Sequence, residues 1–253
     1  MLALASYVMA KTIQLNSNNH VLIRGEINHH SIGSSLQQLG TTIAGEKEVF
    51  IIIASPGGHV TVGNLFIEQI RYLQSQNVTV NCVAIQAASM AFAIFQTCDN
   101  RYITSTSILM QHQMSTKGLD GPFENIMSYI DFMEQLNGLL SDFQSDRLGL
   151  TSDEFKKETQ HDLWLLGNNA IKFNAADQIV TIGCTPDLYK RRKQETLDTI
   201  FFGKVTLTYS GCQLIIEPLT IESDNKNLTE KNIETIKDDV YKLNLNNIKY
   251  QKK

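Results

Sequence analysis

The chain has 253 residues, 42% of them hydrophobic and 19% charged, which is enough apolar material for one sizeable core and too much for a disordered chain. Twenty-two basic against 26 acidic side chains leave a net charge of -4, without the positive field that binding to a phosphate backbone needs, so no nucleic-acid partner is expected. The longest apolar runs, 49–54 and 87–95, fall far short of the roughly 20 residues that cross a bilayer, so no membrane span is expected.

Residues 1–10 carry no basic n-region and read as an ordinary terminal strand or arm, which places the chain in the cytoplasm. Short strands follow at 21–24, 49–54 and 78–85, with one or two more at 102–111. Between the second and third, Val62, Leu65, Phe66, Gln69, Ile70 and Leu73 keep the three-and-four spacing of a helix face. A strand, helix and strand in this order make a βαβ unit, and hence an α/β fold with a largely parallel sheet. Phe123, Ile126, Met127, Ile130, Met133, Leu136, Leu140 and Phe143 then sustain helical period for more than twenty residues. That stripe needs cover, from the chain's own core or from a partner subunit. Thr151 with Glu154 three residues on is a capping box opening a short helix, and 169–182 reads as a helix followed by a strand.

Beyond Gly183 the pattern weakens. Residues 1–183 hold 10 basic and 16 acidic side chains and residues 184–253 hold 12 and 10, so a domain edge is expected there. Residues 204–219 alternate as a hairpin, and 224–253, rich in Asn and Lys, read as loosely held or disordered. Cys82, Cys98, Cys184 and Cys212 lie 16, 86 and 28 residues apart with no C-x-x-C pair. They read as reduced thiols packed as small hydrophobes.

Four places could carry chemistry. Ser55-Pro56-Gly57-Gly58 joins a strand to a helix, where two glycines let the backbone approach a ligand, although the sequence is equally common turn chemistry. Ser89, in Gln86-Ala87-Ala88-Ser89-Met90-Ala91, stands at the start of a helix. Taken alone it reads as an N-cap, yet the free N–H groups there can also stabilise an oxyanion. His112 ends the last strand pattern, within reach of a strand-end serine. Asp162, beside the only tryptophan, reads either as buried and paired or as a cap or surface acid. The His29-His30 pair lacks further ligands at useful spacing and reads as readily as a solvated loop as a metal site.

In this order, with Arg24-Gly25-Glu26-Ile27 before them and Glu158 to Trp164 at the end, the motifs resemble the proteolytic subunit of the Clp protease from about Val21 to Ile182. The resemblance implies a crotonase-like ββα superhelix with a projecting handle helix over 123–148, in a peptidase domain of residues 1–183 followed by an extension of residues 184–253. It implies a serine endopeptidase with Ser89 as nucleophile, His112 as general base and acid, and Asp162 as its orienting carboxylate. The N–H groups of Gly58 and Met90 would form the oxyanion hole. It also implies a homo-oligomer of two stacked heptameric rings, a tetradecamer acting on unfolded polypeptides. No metal or cofactor is implied, and ATP would enter only through an AAA+ unfoldase partner. Three positions depart from the family pattern: Ile85 and Ala91 stand where glycines are usual and Met114 where proline is usual. Two rival readings are a catalytically silent ring subunit or adaptor, and a crotonase-group acyl-CoA enzyme with the same two-amide hole but no serine–histidine pair.

Overall fold

The computed structural model describes residues 11–42, 46–116, 118–199, 203–215, 217–224, 229 and 232–236. Its frame is a seven-stranded sheet. The strands are β1 (Lys11–Leu15), β2 (His20–Arg24), β3 (Glu48–Ser55), β4 (Thr79–Ala88), β5 (Asn100–Gln111), β6 (Leu163–Leu166) and β7 (Gln178–Cys184), in the order β1-β7-β5-β4-β3-β2 with β6 on β5. All neighbours are parallel except β6, which runs antiparallel to β5. The crossovers are α1 (His29–Thr42), α2 (Val60–Ser75) and α3 (Met90–Thr97), and the long α4 (Phe123–Leu148) leads into α5 (Ser152–Glu158) and α6 (Asn168–Lys172). This is the α/β architecture expected. Residues 1–10, read as an arm, lie outside the described residues.

A central parallel strand is covered on both faces and therefore reads as an unbroken apolar run. On β3, Val49, Ile51 and Ile53 face the helices, while Phe50 and Ile52 face a second cluster with Val83, Val180, Leu188 and Cys212. The stripe that α2 buries is Val62, Gly63, Phe66, Ile67, Ile70 and Leu73. Leu65, placed on that face by spacing, is instead 56% exposed. α1 fills the interval between β2 and β3: His29 and His30 open it on its exposed side, and the Asn28 side chain caps it by accepting from the N–H groups of His30 and Ser31. Among the described residues no group of side chains is arranged to hold a metal ion.

α4 begins at Phe123, where its periodicity places it, and runs past Phe143 to Leu148, as the handle resemblance implies, ending at Gly149 in the left-handed conformation (φ 74°) that favours glycine. Only Ser141, Gln144, Ser145 and Leu148 are buried, while Phe123, Phe132 and Leu139 lie open. The capping box at Thr151 and Glu154 is present in both directions. No helix among the described residues is long and apolar enough to cross a membrane.

After β7 come α7 (Pro186–Lys190) and a separate antiparallel sheet of β8 (Arg192–Thr199), β9 (Gly203–Ser210) and β10 (Thr220–Ser223), in the order β10-β9-β8. The expected hairpin over 204–219 is corrected. β9 pairs backward with β8 and forward with β10, and the intervening loop carries Cys212, Leu214 and Ile215 onto the second face of the main sheet. Of the tail, Ile236 packs at 6% exposure against Val205 and Leu207; residues 225–228, 230–231 and 237–253 lie outside the described residues.

The reading of four reduced thiols is also overturned, since Cys82 pairs with Cys98 and Cys184 with Cys212. Both pairs have Cα atoms 5.8 Å apart, inside the window a disulfide needs. Tertiary proximity sets that distance, and chain spacing does not reveal it. The second pair joins the end of β7 to the extension.

Candidate active site

One residue separates β4 from α3, and it is Ser89. Its N–H donates to the Met110 carbonyl of β5 at 2.9 Å, and its own carbonyl already accepts from Phe92 and Ala93 of α3. Pinned at both ends, it takes φ 55° and ψ -123°, a region that costs a non-glycine residue of order 1–3 kcal/mol. Ser89 occupies the N-cap position, yet its side chain makes no capping hydrogen bond. The N-cap reading therefore fails and the hydroxyl is left for other work.

Small residues make the turn achievable. Ala87, Ala88 and Ala91 are enclosed, and Ala91 adds no more than a methyl group where the resemblance expects glycine. Ile85 sits at a register irregularity, where β4 carries one extra residue against β3 and β5 bulges by several residues, 104–107, against β4. Its side chain consequently leaves the core and is 38% exposed.

The glycine turn lies directly over the serine turn. A Cβ on Gly57 (φ 94°) would stand 2.5 Å from the Ala88 carbonyl, 2.7 Å from Ser89 Cβ and 3.0 Å from the Met90 nitrogen, so only glycine fits there. Gly58 forms an isolated parallel bridge with Ile27, whose N–H donates to Gly57 and whose carbonyl accepts from His59. In such a bridge the N–H of the middle residue points to the opposite side. For Gly58 that is the side away from Ile27. Met90 supplies a first-turn N–H of α3, which has no intrahelical acceptor. Its side chain is clamped on Gly63 of α2, where an added Cβ would stand 2.4 Å from Met90 Cγ.

Ser89 and His112 line one cleft of about 250 Å³, with Met90, Met114, Leu140 and Phe155 among its walls. His112 Nδ1 is 2.7 Å from the carbonyl of Gln113. A carbonyl can only accept, so Nδ1 is the donor in this bond, and in the neutral ring that tautomer leaves the lone pair on Nε2. Asp162 stands outside the cleft lining. The β5–β6 ladder ends at Gln111 opposite Leu163, and one step further the same register sets His112 opposite Asp162. The expectation of a buried, paired acid is corrected: Asp162 is exposed and Trp164 is 59% exposed. β6 turns alternate residues outward, so Leu165 faces the core while Trp164 and Leu166 do not. Among the described residues no hydrogen bond joins Ser89, His112 and Asp162.

Two residues at this site have no role assigned from the sequence, although Gln111 stands in the Met110-Gln111-His112-Gln113 stretch that carries the resemblance. Gln111 and Gln144 are both buried in the cleft wall and bonded to each other. Their one signal is polarity at a core-facing position, two residues after Leu109 on β5 and four after Leu140 on α4.

The family model for Clp protease matches residues 5–183. Among curated proteins, the chain is 22% identical over 161 residues to the ATP-dependent Clp protease proteolytic subunit 2 of Pseudomonas aeruginosa, covering 63% of this chain and 80% of that protein. It is 23% identical over 149 residues to the subunit of the same name from Bifidobacterium longum, covering 59% and 70% respectively. It is 22% identical over 135 residues to the ATP-dependent Clp protease proteolytic subunit of Paracoccus denitrificans, covering 53% and 67%.

Proposed function

The chain belongs to the Clp protease family, and from that premise we propose that it is a serine endopeptidase working through Ser89, His112 and Asp162. The observation that carries the reading is Ser89 itself, a strained, uncapped serine at a one-residue strand-to-helix turn, in the same cleft as a histidine whose Nε2 is free to act as base. In the reaction, Nε2 of His112 takes the hydroxyl proton as Ser89 Oγ attacks the peptide carbonyl. The N–H groups of Gly58 and Met90 receive the developing oxyanion, and His112 returns the proton to the leaving amine. Water then opens the acyl-enzyme by the same steps in reverse. Asp162 enters by replacing the Gln113 carbonyl as acceptor for Nδ1, a short rearrangement across the end of the β5–β6 pair. Its negative charge then stabilises the imidazolium, which a neutral carbonyl does less well.

The proposal includes a homo-oligomer of two stacked heptameric rings, with the open apolar face of α4 covered by a second copy. Unfolded polypeptides are the substrates, and an AAA+ unfoldase is the only route by which ATP is involved. The peptidase domain is 1–183 and the extension 184–253. A cytoplasmic location belongs to the same reading. The cystines would persist there by burial, since Cys82, Cys98 and Cys212 are at most 1% exposed and a reductant has no access. A second reading, a silent ring subunit, is favoured by the exposed position of Asp162. Hydrolysis of a fluorogenic peptide decides between them. Activity lost in Ser89→Ala with particle mass unchanged supports the peptidase, and activity retained in that variant refutes it.

A further inference from the structure

His112 is the first residue past the end of β5, and neither neighbouring strand holds its backbone: the ladder to β4 ends at Met110 and that to β6 at Gln111. Its N–H instead donates to a side chain, Oε1 of Gln111, at 3.0 Å. Gln111 Nε2 donates to Oε1 of Gln144, and Gln144 Nε2 donates to the Leu140 carbonyl at 2.7 Å. Gln111 is 6% and Gln144 2% exposed. A buried amide without partners costs about 1–3 kcal/mol, and here each amide both donates and accepts.

The direction of the chain is not arbitrary. It starts at an N–H, which can only donate, and ends at a carbonyl, which can only accept, so both amides are fixed the same way round. The far end belongs to α4, in the short stretch of that helix that is buried.

We propose that Gln144, acting through Gln111, is a positioning residue for His112, tying the backbone of the general base to the inner end of α4. The inference rests on the reading of His112 as base. Its physical content is placement. Misplacing a reacting group by about 1 Å can cost on the order of 10²-fold in rate, and without this chain the His112 backbone depends on its own ring's bond to Gln113 alone. It also makes the long helix part of the site's support, so a displacement of α4 at Gln144 reaches the base directly.

The test compares Gln144→Leu with the double variant Gln111→Leu/Gln144→Leu in the full-length protein, reading melting temperature and the rate at which a fluorophosphonate phosphonylates Ser89 with loss of fluoride. The single variant strands the Gln111 amide in the cleft wall and should lower both. The double variant removes both buried amides together and should recover most of the melting temperature, yet still react at least about tenfold more slowly than wild type, because the His112 N–H has lost its acceptor. A purely structural pair would recover rate along with stability, and a double variant that reacts within about twofold of wild type overturns the proposal. Should the double variant not fold, Gln144→Glu takes its place, since its carboxylate still accepts from Gln111 Nε2. Its rate should rise well above that of Gln144→Leu, and a folded Gln144→Glu no faster than Gln144→Leu overturns the proposal. A wild-type protein that takes no adduct on Ser89 overturns the active-site reading and the proposal with it, whereas an unimpaired double variant overturns the positioning role alone.

Discussion

Replacing Ser89 by glycine should make the protein more stable as it makes it inert. Ser89 holds φ 55° and ψ -123° because its N–H is fixed to Met110 and its carbonyl to α3, and that conformation costs a residue with a Cβ about 1–3 kcal/mol. Glycine removes the cost but adds about 0.5–1 kcal/mol of unfolded-chain entropy. The hydroxyl makes no capping bond, so no cap is lost. The net expectation runs from about no change to a gain of about 2.5 kcal/mol, up to about 10 °C in melting temperature for a chain of this size. Ser89→Ala keeps both the strain and the backbone and should stay within about 0.5 kcal/mol of wild type. Thermal melts of the three proteins at one protomer concentration, which an oligomer requires, measure the difference. A Ser89→Gly variant less stable than Ser89→Ala would refute the reasoning, because it would mean that the turn stores no strain at the serine.

Three further outcomes are expected. Burial holds His20 below its ordinary value of 6.5, against the opposing effect of its bond to the Asn16 carbonyl. The folded chain therefore binds this proton less readily than the unfolded one, and stability is full above pH 6.5 and falls as pH drops below it. Urea titrations at pH 7.5 and pH 5.5 should show that loss in wild type and a smaller one in His20→Asn. The double variant Cys184→Ala/Cys212→Ala opens a 28-residue loop and should cost about 3–4 kcal/mol by loop-closure entropy. Wild type denatured without reductant should show no titratable thiol, and four would contradict both cystines. Polar substitution at Ile130 and Met133, Ile130→Glu/Met133→Glu, should halve the particle mass by light scattering if a second copy covers α4; an unchanged mass would contradict that assignment.

What could be read from the sequence was what local chemistry determines. The apolar spacing of α4 marks its start at Phe123 and runs to Phe143, while its end at Leu148 is reached only through the family resemblance; Thr151 and Glu154 form their capping box because that signal acts within a few residues. Leu65 was placed on the wrong side of α2 because helical period gives the width of an apolar stripe and not its centre, which the contact with Met90 at Gly63 sets. The hairpin over 204–219 failed because Cys212 and its neighbours are drawn to a sheet face built largely by distant strands, with Ile13, Phe50 and Val83 among its residues. At the site, the serine, the histidine and the glycine turn were legible as residue types at strand ends. The positive φ of Ser89, the outward position of Asp162 and the amide pair of Gln111 and Gln144 are products of strand register and helix docking, which spacing along the chain does not encode.

The central claim is that Ser89 is a nucleophile activated by His112. Its most direct test is to treat the purified protein with a fluorophosphonate and map the adduct by mass spectrometry. The account predicts a single adduct on Ser89, abolished in His112→Ala and in heat-denatured protein. A folded, oligomeric wild type that takes no adduct, or one labelled equally well without His112, would contradict it.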